Sequence, residues 1–201
     1  MAKVREHDGK QFTSRWALRH FRTWGRHLPK WVNVGEPLNY IEIGVWEARS
    51  ACWVLEHILK HEDCKAYLID TFNGPARPSR IPRFGTGEEI EARARNNVRP
   101  YEDKVTFLKM TSEEALATDT IQQLRGDVDL VYVDGGHKGD VPFEDTKAAW
   151  PLLKNGGVMI WDDTHMKGVI DCIEKFEEYY KSMYQIIWKG GRQIAARKID
   201  G

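Results

Sequence analysis

The feature that most limits the fold is a series of five short apolar runs, at residues 40–43, 65–69, 104–109, 128–133 and 158–161, separated by segments of helical period. A parallel crossover needs a dozen or more residues and is normally a helix, so this alternation predicts a parallel sheet with helices on its faces. Two further runs, 184–188 and 193–197, flank Lys189-Gly190-Gly191-Arg192. That is a hairpin signal, and it adds antiparallel pairing at one edge.

At 201 residues the chain has the length of one ordinary domain. Lys plus Arg equals Asp plus Glu, 30 against 30, so the overall charge gives no reason to expect nucleic acid or an anionic membrane as a partner. The distribution is uneven. Between Met1 and Trp31 stand eight basic residues, Lys3, Arg5, Lys10, Arg15, Arg19, Arg22, Arg26 and Lys30, against Glu6 and Asp8. Within it, Phe12, Trp16, Leu18, Phe21 and Trp24 at mostly helical spacing predict one amphipathic helix over 12–28, stopped by Gly25 and Pro29. Residues 1–38 are thus expected as an N-terminal helix and loop, a substrate wall or a homo-oligomer contact, ahead of the main domain, 39–201. Cys52, Cys64 and Cys172 are odd in number and far apart, which argues against disulfides or a zinc knuckle. The charged N-terminus is no signal peptide and no apolar run reaches about 18 residues, so a cytoplasmic protein is expected.

In open α/β sheets ligands bind beyond the carboxyl ends of the strands. There the apolar runs give way to Glu42 and Gly44, to Asp70 followed by Thr71, to Ser112, to Asp134, and to Asp162 with Asp163. Gly44 lets a backbone approach a ligand closely, while Ala48 and Ser50 let the next helix pack on its strand. The dinucleotide fingerprint G-x-G-x-x-G is absent, which disfavours a nicotinamide enzyme. Asp70 is placed to accept hydrogen bonds from ribose hydroxyls. If the fourth and fifth strands are neighbours, Asp134, Asp162 and Asp163 share one edge, where three carboxylates suit a hard divalent cation, Mg²⁺, Mn²⁺ or Ca²⁺. Asp162 and Asp163 as plain helix caps are the competing reading. His137, in a Gly-rich turn three residues after Asp134, is positioned as a general base. Lys138 and His165 are weaker candidates for that role. The Pro-, Gly- and Arg-rich stretch 71–87 predicts a long loop, Ser112 to Arg125 a helix capped at Thr111 or Ser112, and Asn155-Gly156-Gly157 a turn.

The segments YIEIGVWEARSA, LIDTF, KMTSEEAL and DLVYVDGGHKGDVPFEDTKAAWPLLKNGGVMIWDDTH resemble the class I S-adenosylmethionine-dependent methyltransferases, in particular small metal-dependent O-methyltransferases of the catechol, antibiotic-sugar and cephamycin-pathway type. The resemblance runs from about Tyr40 to Thr164. It implies a Rossmann-like, doubly wound, seven-stranded α/β sheet, mostly parallel with an antiparallel C-terminal hairpin edge. It also implies contacts to S-adenosylmethionine from Glu42, Gly44, Ser50, Asp70 and Ser112, a divalent cation on Asp134, Asp162 and Asp163, and His137 as the base; Thr71 and Asp134 are further candidate cofactor contacts and Lys138 a further catalytic candidate. The expected acceptor is a small-molecule hydroxyl. Ala48 stands where many members carry Gly, and Asp163 where catechol-type enzymes carry an amide. A metal-independent methyltransferase and a catalytically silent S-adenosylmethionine-binding partner module are the alternatives.

Overall fold

The computed structural model describes residues 5–7, 9–75 and 77–200, with backbone alone for 5–7. In chain order it runs through a hairpin, β1 (Arg5–His7) and β2 (Lys10–Phe12), then α1 (Phe21–His27), β3 (Asn39–Ile43), α2 (Arg49–His57) and β4 (Lys65–Ile69). Next come α3 (Ile81–Phe84), α4 (Gly87–Val98), β5 (Val105–Leu108), α5 (Ser112–Ala117), α6 (Asp119–Gln122) and β6 (Val128–Val133). The chain closes with α7 (Val141–Ala149), β7 (Leu153–Trp161), α8 (Lys167–Tyr179), β8 (Tyr184–Gly190) and β9 (Gln193–Lys198).

Seven strands form one sheet in the order β5-β4-β3-β6-β7-β9-β8. The first five pair in parallel, and β9 joins β7 and β8 antiparallel, as the sequence predicts. Strand order reverses between β3 and β6, so the turns after Ile43 and after Val133 flank the topological switch point. Neighbouring parallel strands are buried on both faces, because helices cover both. On one face Tyr40, Leu68, Tyr132 and Ile160 pack with α2 and with Phe12, Trp24, Leu28 and Val32 of the N-terminal segment. On the other, Ile41, Val131, Met159 and Trp161 pack with Ala149, Val169 and Phe176 of α7 and α8.

Four local expectations are corrected. The segment 12–28 is not one helix: Phe12 ends β2, residues 16–19 form a 3₁₀ turn, and only Phe21–His27 is α-helical. The cause is tertiary, since Glu47 accepts the Thr13 and Ser14 backbone N–H groups at 2.8 and 3.3 Å and holds that stretch out of a helix. The loop 71–87 contains a 3₁₀ turn and α3, whose last carbonyl, on Phe84, accepts the Arg93 guanidinium of α4. The helix expected over 112–125 breaks at Thr118, which is extended and whose hydroxyl donates to the Ala115 carbonyl at 2.7 Å. Finally, Asn155-Gly156-Gly157 is no turn but part of β7, with Gly156 at φ +84° where the β6–β7 register shifts. No helix among the described residues is long and apolar enough to cross a membrane.

Candidate active site

The turn after β3 is built around backbone that only glycine fits. Gly44 has φ +89°, and a Cβ there would lie 2.2 Å from the Asp134 carbonyl oxygen, so the two turns at the switch point touch backbone to backbone. Asp70, at the end of β4, fixes the same turn: its Oδ2 accepts the Val45 and Trp46 N–H groups at 2.8 and 2.9 Å, and its Oδ1 accepts the Phe72 N–H at 2.8 Å. Thr71 Oγ1 accepts the Asn73 N–H at 3.4 Å. Four non-glycine residues on these loops, Trp46, Ala48, Phe72 and Asp163, have positive φ of 53°, 58°, 51° and 51°. Strained backbone of this kind persists where surrounding contacts over-determine it, and it clusters at functional sites. Ala48, φ +58°, stands in the left-handed conformation that glycine adopts without strain.

Below the turn Glu42 is completely buried. Its Oε2 accepts the Tyr40 hydroxyl at 2.6 Å and its Oε1 accepts the Ser50 hydroxyl. Burial dominates those two hydrogen bonds and pushes its pKa up to about 7. Ser112 opens α5 behind Thr111, whose side chain makes a capping box with Glu114. The Ser112 side chain reaches the buried Asp145, whose carboxyl burial raises to about 6.

Across the switch point the acidic rim divides into two groups. Ligand atoms of Asp134, His137 and Asp163 all lie within 4.8 Å of one another. His137 Nε2 is 3.3 Å from Asp163 Oδ2, and His165 Nδ1 is 3.7 Å from Asp163 Oδ1. Asp162 points into the protein instead: its Oδ2 accepts the Tyr132 hydroxyl at 2.5 Å and lies 3.3 Å from His20 Nε2, and its Oδ1 accepts the Asp163 N–H at 2.7 Å. Lys138 is exposed and joins neither group. Burial and the adjacent Asp162 and Asp163 hold the Asp134 carboxyl well above the ordinary range. Asp162 is also buried, but hydrogen bonds from His20, Tyr132 and the Asp163 N–H outweigh that and hold it below. The donors around Asp162 thus favour its charged form, while the surroundings of Asp134 disfavour its charge.

His20, Tyr40, Tyr132 and Glu47 are site-building residues that sequence reasoning missed. The two tyrosines carried a signal, because Tyr40 and Tyr132 sit two positions before Glu42 and Asp134 and so share their sheet face. His20 carried none, since only tertiary folding brings the N-terminal segment onto Asp162.

Residues 41–164 match the family described as a methyltransferase domain. Among curated proteins none matches by sequence. Among solved structures, the O-methyltransferase NovP is 16% identical at a TM-score of 0.63, covering 91% of this chain and 81% of that one. The calicheamicin methyltransferase CalS11 is 14% identical at 0.65, covering 92% and 80%. A Podospora anserina methyltransferase, PaMTH1, solved with S-adenosylhomocysteine, is 16% identical at 0.60, covering 92% and 78%. With the switch-point crevice, the match over most of the sheet establishes that the chain belongs to the methyltransferase-domain family and has the class I S-adenosylmethionine-dependent methyltransferase fold.

Proposed function

We propose that the chain transfers a methyl group from S-adenosylmethionine to a hydroxyl of a small molecule, with help from a divalent cation. The observation that carries this reading is the Asp134, His137 and Asp163 cluster standing against the Gly44 turn. The donor would lie on that turn, with Asp70 and Thr71 toward its ribose, Ser112 toward its base, and Glu42 and Ser50 beneath. Three backbone N–H groups take three of the four lone-pair sites on the Asp70 carboxylate, so Oδ1 keeps one for a ribose hydroxyl.

The rim fits a hard cation, because burial first and the neighbouring Asp162 and Asp163 second disfavour the Asp134 carboxylate unless a cation faces it. Asp134 and Asp163 would hold it, with Asp162 adjoining, and when bound it would lower the pKa of the acceptor hydroxyl. His137 accepts the hydroxyl proton, and Asp163, 3.3 Å away, orients the imidazole. The remaining contribution is alignment of oxygen, methyl carbon and sulfur.

His137→Ala is expected to lower kcat by about 10²–10⁴-fold, the range for a general base, with calorimetric S-adenosylhomocysteine binding changed by no more than a few-fold. Dialysis against EDTA should abolish turnover and Mg²⁺ or Mn²⁺ restore it. Turnover indifferent to EDTA overturns the cation's role. The 4.8 Å cluster also favours a second reading, His137 as a ligand, and loss of Mn²⁺ binding in His137→Ala would select it.

Glu42 gives a separate, pH-dependent expectation. Its folded pKa, about 7, is raised above that of the unfolded chain, so its stabilising contribution is present at low pH and lost as pH rises toward 7. Relative to Glu42→Gln, the cofactor-free wild type should lose on the order of 3 kcal/mol between pH 5 and pH 8. Thermal unfolding of both proteins across that window measures it, and parallel curves would refute it.

A further inference from the structure

Trp16 is 42% exposed, yet its ring is bedded on two others. Its centroid is 5.5 Å from Trp46, in the Gly44 turn, and 5.1 Å edge-on from Phe84, the buried end of α3. The Arg83 guanidinium lies over the Phe84 ring at 4.8 Å, and Arg19 Nε donates to the Trp16 carbonyl at 3.0 Å. One exposed indole, packed against the expected methyl-donor turn, thus has one guanidinium on its own backbone carbonyl and a second over a ring it packs against, from segments far apart in sequence.

These cations are unneutralised. Among the described residues no carboxylate lies within 4.0 Å of Arg15, Arg19, Arg80 or Arg83, whereas Arg93 and Arg95 of α4 are paired with Glu47 and Glu91. In a chain with 30 acidic residues for 30 basic ones, Arg19 and Arg83 thus stand beside Trp16 and Phe84 as a local positive excess. A merely solvated basic face would not require an exposed indole fixed from below by two rings.

We propose that this is the anchoring site of the methyl acceptor, and that the acceptor is a ring compound bearing a phosphate or carboxylate group. Its ring stacks on Trp16, and its anionic group is held by Arg19 and Arg83, whose planar forks match oxyanion geometry. Its hydroxyl then reaches inward to the rim. The inference rests on the methyl-transfer reading and adds the acceptor's chemical class.

The test uses the full chain, with and without saturating S-adenosylhomocysteine, titrated with phenyl phosphate, benzoate and phenol by calorimetry. At least one anionic probe should bind tenfold or more tightly than phenol and weaken as salt rises. The double variant Arg19→Ala/Arg83→Ala should lose that tenfold, Trp16→Ala should weaken all three probes, and neither should change S-adenosylhomocysteine affinity. Anionic probes no tighter than phenol, or a double variant equal to wild type, would overturn the proposal. So would a single-stranded RNA oligonucleotide that outcompetes both probes and depends on the same arginines. A wild type that fails to bind S-adenosylhomocysteine but still binds the anions would sink the methyl-transfer reading alone.

Discussion

Gly44→Ala is expected to unfold the site, because every atom the new methyl meets is backbone. At φ +89° the Cβ would lie 2.2 Å from the Asp134 oxygen, 2.5 Å from its carbon and 2.8 Å from the Gly135 nitrogen. No rotamer change relieves such contacts. The chain cannot shift cheaply either: Gly44 N–H donates to the Ile69 carbonyl at 2.9 Å, and Asp134 N–H donates to the Ile43 carbonyl at 2.8 Å, so moving the turn breaks the hydrogen bonds at the switch point. Overpacking of about 1–3 kcal/mol adds to left-handed strain of about 1–2 kcal/mol, a total of roughly 2–5 kcal/mol. For a chain of this size that lowers Tm by about 10 °C, and S-adenosylhomocysteine binding should vanish. Gly126→Ala is the control. Its φ is +78°, but a Cβ there meets nothing within 4 Å, so only about 1 kcal/mol of strain remains. A Gly44→Ala protein melting within 3 °C of wild type would disprove the close approach.

The same turn shows what a sequence makes legible. Tyr40–Ile43 followed by Gly44 announces itself, because a buried parallel strand is a local apolar run and the need for positive φ is written in one residue. Asp134 and Asp162 are readable for the same reason, since each breaks its run at the carboxyl end. Their partners are not. Asp162 is held by His20, 142 positions earlier in the chain, and nothing in the spacing of Trp16, Phe21 and Trp24 says that their segment crosses the sheet edge. The helix expected over 12–28 failed on the same point. Its aromatic period is genuine, and Trp24 and Leu28 are fully buried, but residues 13 and 14 give their N–H groups to Glu47 rather than to a helical turn. The local pattern marks Phe12, Trp24 and Leu28 for burial but also Trp16 and Leu18, which stay exposed, and long-range hydrogen bonds decide where the helix begins.

Glu47 therefore carries the second large effect. It is fully buried, and its Oε1 takes Arg93 Nε at 2.7 Å and the Thr13 hydroxyl at 2.6 Å, while its Oε2 takes the Thr13 and Ser14 N–H groups. Glu47→Ala leaves the nearly buried Arg93 charge without its partner and orphans those three donors, so a loss of about 3–5 kcal/mol is expected. Arg93→Met should cost less, about 2 kcal/mol, because Glu47 keeps the Thr13 and Ser14 donors and a methionine fills the guanidinium's volume. The double variant should be less destabilised than the sum of the two, with a coupling of about 2 kcal/mol in denaturant unfolding. The functional consequence is directional. Glu47 ties residues 13 and 14 to the turn after β3, and Arg93 ties the Phe84 carbonyl to the same carboxylate, so the pair fixes both flanks of Trp16 without touching the acidic rim. Glu47→Gln, which keeps the shape but weakens the acceptor, should raise the acceptor's KM several-fold more than it lowers kcat. Amide exchange at Thr13 and Ser14 should accelerate in parallel. A kcat loss with KM unchanged would mean that Glu47 acts on the reacting groups and not on the wall that holds the acceptor.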